Sequence, residues 1–247
     1  FDVRRTLDAW KRASPESAFA FAASGFAYVA MAGNARGDAF IQDTPQSNID
    51  AMERLLRLAD ADLRRAVALD PRVTPAYVAM INAGSLALGD DYVFKAARQG
   101  LAHAPADYSI YGLLSHAAEP KWGGSLQAMK AVARLAQAHV KENPLLAILK
   151  SAEPLVEYDL CDCEGRTNWQ AFPIVFADLG SSQEFFAAGN AANQNGHYGL
   201  ALVYLSEGIR FQPGSSLPRQ RRDLAMSDLG EVAAAVSDAS HWIQKSP

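Results

Sequence analysis

Residues 182–213 read SQEFFAAGNAANQNGHYGLALVYLSEGIRFQP. Asn195-Gly196 sets a tight turn in the middle of this stretch, so it reads as two helices folded back on each other. Ser181-Ser182-Gln183-Glu184 has the form of a capping box for the first helix, and Pro213 closes the second. The closing proline recurs upstream. Pro71 and Pro105 are 34 residues apart and end similar phrases, Arg65-Ala66-Val67-Ala68-Leu69-Asp70-Pro71 and Gly100-Leu101-Ala102-His103-Ala104-Pro105. Tyr77 and Tyr111 keep that spacing, each six residues after its proline. Pro144 follows 39 residues after Pro105, the excess matching an insertion at Pro120-Lys121-Trp122-Gly123-Gly124, and Pro213 lies 69 residues further, close to two periods. A period of this length predicts stacked helical hairpins, each needing a neighbour to cover its apolar face.

Composition agrees. Of 247 residues, 49% are hydrophobic and 20% charged, which excludes a disordered tail or a coiled-coil rod. Alanine contributes 46 residues, an excess that favours close-packed helices, and nothing alternates with period two, so no sheet is expected. The net charge of −4 argues against a general nucleic-acid binder. Ser17 to Ala35 carries no charge over nearly a bilayer-spanning length. Yet it holds no Leu or Ile, and the same character returns from Val73 to Gly89. Both read as helices buried among other helices, and no membrane insertion is expected. A chain beginning at Phe1 is expected to be a processed or trimmed product, with the compartment open between cytoplasm and periplasm.

Through Phe185, Gly189, Gly196, Tyr198, Ala201, Leu205, Gly208 and Pro213, residues 182–213 resemble a tetratricopeptide (TPR) repeat. Residues 74–105 and 108–144 match more loosely, through Tyr77, Gly100, Tyr111, Leu114 and the closing prolines. Residues 15–71 form a further candidate pair with a long insertion between its helices, and 145–180 is irregular. Arg219 to Gln244 reads as one amphipathic helix with Leu224, Leu229, Val232, Val236 and Trp242 on its apolar side, suited to cap the last repeat. The expected architecture is therefore all-α: a TPR-like helical-hairpin solenoid forming a single domain over 1–247, with a C-terminal capping helix at 219–244. Ser14-Pro15-Glu16 and Thr74-Pro75 predict helix starts with a capping hydroxyl before a first-turn proline. The phrase Lys121-Trp122-Gly123-Gly124-Ser125 also resembles a functionally uncharacterised group of bacterial proteins built from similar helical pairs, a likeness that carries no activity with it.

Short catalytic motifs are absent: no G-x-S-x-G elbow, no H-E-x-x-H, no Walker loop and no dinucleotide G-x-G-x-x-G. The five histidines, at 103, 116, 139, 197 and 241, form no pair at ligand spacing. No catalytic residue and no cofactor is expected. The rival readings are a hydrolase assembled from distant residues, with His116 or His197 as base, and a structural or oligomerisation scaffold. Glu157, Asp159, Cys161, Asp162, Cys163 and Glu164 concentrate potential metal ligands. A disulfide across one residue is strained and no second cysteine pair exists, so this segment reads as a polar loop with no metal.

The TPR resemblance implies that the first helix of each pair lines a concave face where peptides bind. The positions carried over are Val78, Asn82 and Ser85, then Gly112, His116 and Glu119, then Phe186, Asn190, Asn193 and Gln194. Asn82, His116 and Asn190 recur at equivalent places and form a row of uncharged hydrogen-bonding groups suited to a peptide backbone. The subclass that grips a C-terminal carboxylate has Lys or Arg where this chain has Val78, Gly112 and Phe186, so that clamp is incomplete. Charges fall instead on the second helices, at Arg64, Arg65, Lys95, Arg98, Lys130 and Arg134, with a basic cluster at Arg219, Arg221 and Arg222; both read as solvated outer faces. Trp122 has two open roles, a plug between helical pairs or a ring presented to a partner. The expected function is non-enzymatic capture of a protein or peptide partner through Asn82, His116, Phe186, Asn190 and Asn193, or through the Trp122 loop. A bacterial adaptor or immunity role rests on analogy alone. A groove poor in charge is also open to occupation by the capping helix or the insertion at 36–47.

Overall fold

The computed structural model describes residues 3–157 and 182–245. Asp159, Cys161, Asp162, Cys163 and Glu164 of the cysteine segment, and Ser181 of the expected capping box, lie outside the described residues. Among the described residues the chain is all-helical, with no strand. By its contacts the chain divides into two compact units, Phe1–Leu149 and Lys150–Pro247.

The first unit contains α1 (Val3–Ala13), α2 (Ala18–Arg36), α3 (Gln46–Leu69), α4 (Thr74–Ala83), α5 (Asp90–His103), α6 (Tyr108–Ala117) and α7 (Leu126–Gln137). Short helical turns lie at Ile41–Asp43, Gly84–Leu88, Pro120–Trp122 and, at its end, Pro144–Lys150. The second unit contains α8 (Ala152–Glu157), α9 (Ser182–Gln194), α10 (Tyr198–Phe211), α11 (Ser216–Asp228) and α12 (Val232–Lys245).

The recurring proline has a physical cause. Helices α3, α5 and α10 each end on a backbone N–H bonded four residues back, Asp70 to Ala66 (3.0 Å), Ala104 to Gly100 (2.9 Å) and Gln212 to Gly208 (3.0 Å). The residue that follows each is proline, which forces its predecessor out of the helical region, to φ −145°, −138° and −134° respectively. A β-turn follows, in which Val73 donates to Asp70, Asp107 to Ala104 and Ser215 to Gln212, at 3.1–3.2 Å. Tyr77 then donates its hydroxyl to the Pro71 carbonyl at 3.0 Å.

Helix starts are partly corrected. The capping hydroxyl of α2 belongs to Ser17, which accepts from the Ala20 N–H at 3.3 Å, while Pro15 and Glu16 form the turn before it. Thr74 lies inside α4; Val73 precedes it without a side-chain cap, and Pro75 sits in the first turn. Asp107 and Ser125 cap α6 and α7 by accepting from Ile110 and Ala128 at 3.0 and 3.1 Å.

Within the first unit, α2 packs on α3, α4 on α5 and α6 on α7, while α2, α4 and α6 also pack consecutively on one another. Small residues permit the close approach. A Cβ on Gly25 would lie 2.5 Å from Leu63 Cγ, and one on Gly189 would lie 2.5 Å from Leu205 Cγ. Each leucine is eight residues before its closing proline, and both are fully buried. Burying one leucine contributes about 1.5–3 kcal/mol. In the α4–α5 pair the sizes are exchanged, with Ile81 and Ala97 at the corresponding positions of the same buried cluster. Among the described residues α2 is the one helix long and apolar enough to cross a membrane; here it packs on α1, α3 and α4.

The single helix expected at 219–244 is two helices. Gly230 takes φ 84°, its N–H bonds Ser227 O, and the Glu231 N–H reaches back to Met226 O, both at 2.9 Å; this left-handed closure ends α11. The break resets the helical phase, so a periodicity counted across it assigned the wrong face. Leu224, Leu229, Val232 and Val236 are exposed, while Pro218, Ala225 and Ala235 are buried. The Trp242 side chain lies outside the described residues.

Candidate functional site

The site is built on the segment that joins α6 to α7. Glu119 takes an extended conformation ahead of Pro120, which starts a single tight helical turn. The Trp122 N–H closes that turn on Glu119 O at 3.0 Å, and Gly123, at φ 88°, ends it. Gly124 then passes so close to α6 that a Cβ there would sit 2.1 Å from the Ala118 carbonyl oxygen. Ser125 donates its N–H to that same oxygen at 2.9 Å and caps α7 with its hydroxyl. Pro120, Gly123, Gly124 and Ser125 are thus all committed to the path of the backbone. Lys121 and Trp122 are not.

Trp122 is 58% exposed, so its indole does not plug a gap between helical pairs. The ring stands edge-on to His116, centroids 5.6 Å apart at 63°, with the Lys121 ammonium 5.5 Å from its centroid. Glu119 ties the group together: its carboxylate meets His116 Nδ1 at 2.8 Å and Lys121 Nζ at 2.7 Å.

This cluster forms one wall of a cavity of about 660 Å³. Leu113, His116, Ala117 and Trp122 supply that wall; Phe26, Val29 and Ala30 of α2 supply the opposite one. Between them the end of α4 and the following turn contribute Asn82, Gly84, Ser85 and Leu86, with Asp90 at the start of α5. The turn at Gly84–Leu88 is a wide π-type turn, a form frequent at functional sites. Gly84 allows it, since a Cβ there would lie 2.5 Å from Val93 Cγ2, and Gly89 ends it at φ 86°. The Asn82 side chain makes no hydrogen bond among the described residues, so its carboxamide offers both a donor and an acceptor to the cavity. The Ser85 hydroxyl is already used, donating to Ile81 O at 3.2 Å.

Three of the six partner-contact residues read from the sequence, Asn82, His116 and Trp122, therefore line one cavity. Ser85 joins them, Val78 packs against the buried cluster of the first unit, and Glu119 stands behind His116. No residue of the 36–47 insertion lines the cavity. Phe186, Asn190 and Asn193 belong to α9 in the second unit. Phe186 is packed against Ala192, Ala201, Leu205 and Ala225, a core position. Asn190 and Asn193 each bury a carboxamide oxygen that has no hydrogen-bond partner among the described residues. Sequence reasoning missed Phe26, Leu86, Leu113 and Asp90. Phe26 carried a signal: a large aromatic amid small residues, 51% exposed in the fold.

None of the cationic positions of the second helices lines the cavity. Arg64 meets Asp60 at 2.7 Å, and Arg65 meets Glu16 at 3.2 Å. Among the described residues no group of three or more His, Cys, Asp or Glu side chains could hold a metal ion. No family model, no curated protein and no solved structure matches the chain.

Proposed function

We propose that the chain is a non-enzymatic binding module of TPR-like helical pairs, which captures a peptide segment of a partner protein in the cavity beside Trp122. The observation that carries this reading is Trp122 itself, a large apolar ring held exposed by a loop whose other residues fix its path. Tryptophan in that setting is a typical interaction anchor. The unpaired Asn82 amide at the same cavity suits a peptide backbone. The consecutive packing of α2, α4 and α6, the first helices of their pairs, supports the solenoid arrangement, and α11 packed on α10 supports a terminal cap.

The test is affinity capture with the wild-type chain, Trp122→Ala and Asn82→Ala, read by mass spectrometry. Partners retained by the wild type should fall at least tenfold with Trp122→Ala, at unchanged helical circular dichroism. Equal recovery by all three proteins would remove the cavity as the binding surface.

One observation favours a second reading, hydrolysis with His116 as general base. Glu119 holds His116 Nδ1 at 2.8 Å, the arrangement that orients a catalytic imidazole. The Ser85 hydroxyl, bonded to Ile81 O, does not complete it as a nucleophile. Ester or amide turnover by the wild type that His116→Ala abolishes would establish this reading.

A further inference from the structure

The charges around the cavity differ in one respect. Lys121, Glu119 and His116 satisfy one another. Asp90 lines the same cavity, and its carboxylate has neither an ion pair nor a hydrogen bond among the described residues. No Lys or Arg lines the cavity, and α2 and α4 contribute none nearby, since Ser17 to Ala35 and Val73 to Gly89 are free of charge. A cation entering the cavity meets the Asp90 carboxylate, and the nearby Lys121 ammonium is already paired with Glu119. An anion meets Asp90.

The site also contains its own example of a bound cation. The Lys121 ammonium stands over the Trp122 ring and against Glu119, combining an aromatic face with a carboxylate. A partner's ammonium or guanidinium fits the same two groups and would compete with Lys121 for them.

The apolar surface is longer than the cavity. Phe19 and Phe26 lie seven residues apart on α2, two turns along one face, and are 62% and 51% exposed. They extend the apolar strip about 10 Å along that helix, at about 1.5 Å per residue. A chain segment covers such a strip, where a compact small molecule would not.

We infer, resting on the partner-binding reading above, that the occupant is a basic and apolar peptide segment of another protein. A large apolar side chain sits between Phe26, Leu86, Leu113 and Trp122, and a neighbouring Lys or Arg reaches Asp90. This is the opposite charge preference to a carboxylate clamp.

The test uses the full chain as bait for a random dodecapeptide phage library at low salt. A selected peptide is then titrated calorimetrically against the wild type, Trp122→Ala, Asp90→Asn and Lys121→Ala. Selected sequences should place Lys or Arg beside Leu, Ile, Phe or Trp. Asp90→Asn should weaken binding about two- to fivefold, the size of an exposed ion pair. Lys121→Ala should not weaken it, because it removes a competing cation. Raising salt to about 0.5 M should weaken the wild type more than Asp90→Asn, since screening acts on that pair. Acidic or uncharged peptides that still require Trp122, or an Asp90→Asn affinity equal to wild type, overturn the basic-peptide inference and leave the binding site standing. Selection of no peptide that depends on Trp122 overturns both. A dimer in sedimentation that Trp122→Ala abolishes assigns the cavity to a second copy and likewise overturns the inference.

Discussion

Gly124 and Gly112 show how differently two glycines of one segment are used. A Cβ on Gly124 would meet the Ala118 carbonyl oxygen at 2.1 Å, whereas one on Gly112, in the middle of α6, would meet nothing within 4 Å. Gly124→Ala is therefore expected to destabilise by about 1–3 kcal/mol, as overpacking against fixed atoms does. Gly112→Ala should stabilise by about 0.5–1 kcal/mol through the lower conformational freedom of the unfolded chain. Urea unfolding of both variants checks this, and a loss in Gly112→Ala would show that α6 is packed where the structure leaves it open. The glycines of the Trp-Gly-Gly phrase were visible as an insertion in the sequence. Their separate jobs were not, because close approach to Ala118 is a property of the folded path and leaves no mark on composition.

At the scale of elements, the junction of α11 and α12 carries the clearest titration. Arg222 of α11 meets Asp238 of α12 at 2.5 Å and extends toward the Ser206 hydroxyl of α10 at 3.4 Å. Burial, then the bond to Asp238 and its charge, push the Asp223 carboxyl up to about 6. Asp238 moves the other way: burial opposes it, but the Arg222 bond holds the carboxylate below its ordinary range. Because the folded value for Asp223 lies above its ordinary 3.8, the protonated form favours folding. That stability is fully present below about pH 4 and is lost as pH rises through about 6. The thermal midpoint of the wild type should therefore fall between pH 5 and pH 7.5. Asp223→Asn should keep the midpoint level over that range and exceed the wild type at pH 7.5. An equal fall in the variant would assign the titration elsewhere. The sequence placed a helix here but missed its break, since Gly230 after Leu229 reads as a tolerated glycine until its left-handed φ is known.

At the scale of the molecule, the described buried clusters each stay within one unit. Leu56, Leu63, Ile81 and Ile110 belong to the first, as do Tyr111, Leu146 and Leu149; Ala192, Leu205 and Ala225 belong to the second. Residues 1–149 expressed alone should therefore unfold cooperatively in urea and keep the Trp122 cavity. A non-cooperative, ANS-binding fragment would mean that this core needs the rest of the chain.

The division of information follows the range of the forces involved. The sequence by itself determined the helical class, the hairpin turns and the closing prolines, because these rest on local effects: backbone restriction before proline, left-handed glycine and small residues spaced for helix contact. It also singled out Asn82, His116 and Trp122, each through a position in a repeat or an insertion. Only the tertiary structure decided that these three share a cavity with Phe26, Leu86 and Asp90, that Phe186 packs into a core, and that Leu224 and Val236 face outward. Those outcomes depend on which helices meet and on where one glycine breaks a helix, and both are settled by packing between residues far apart in the chain.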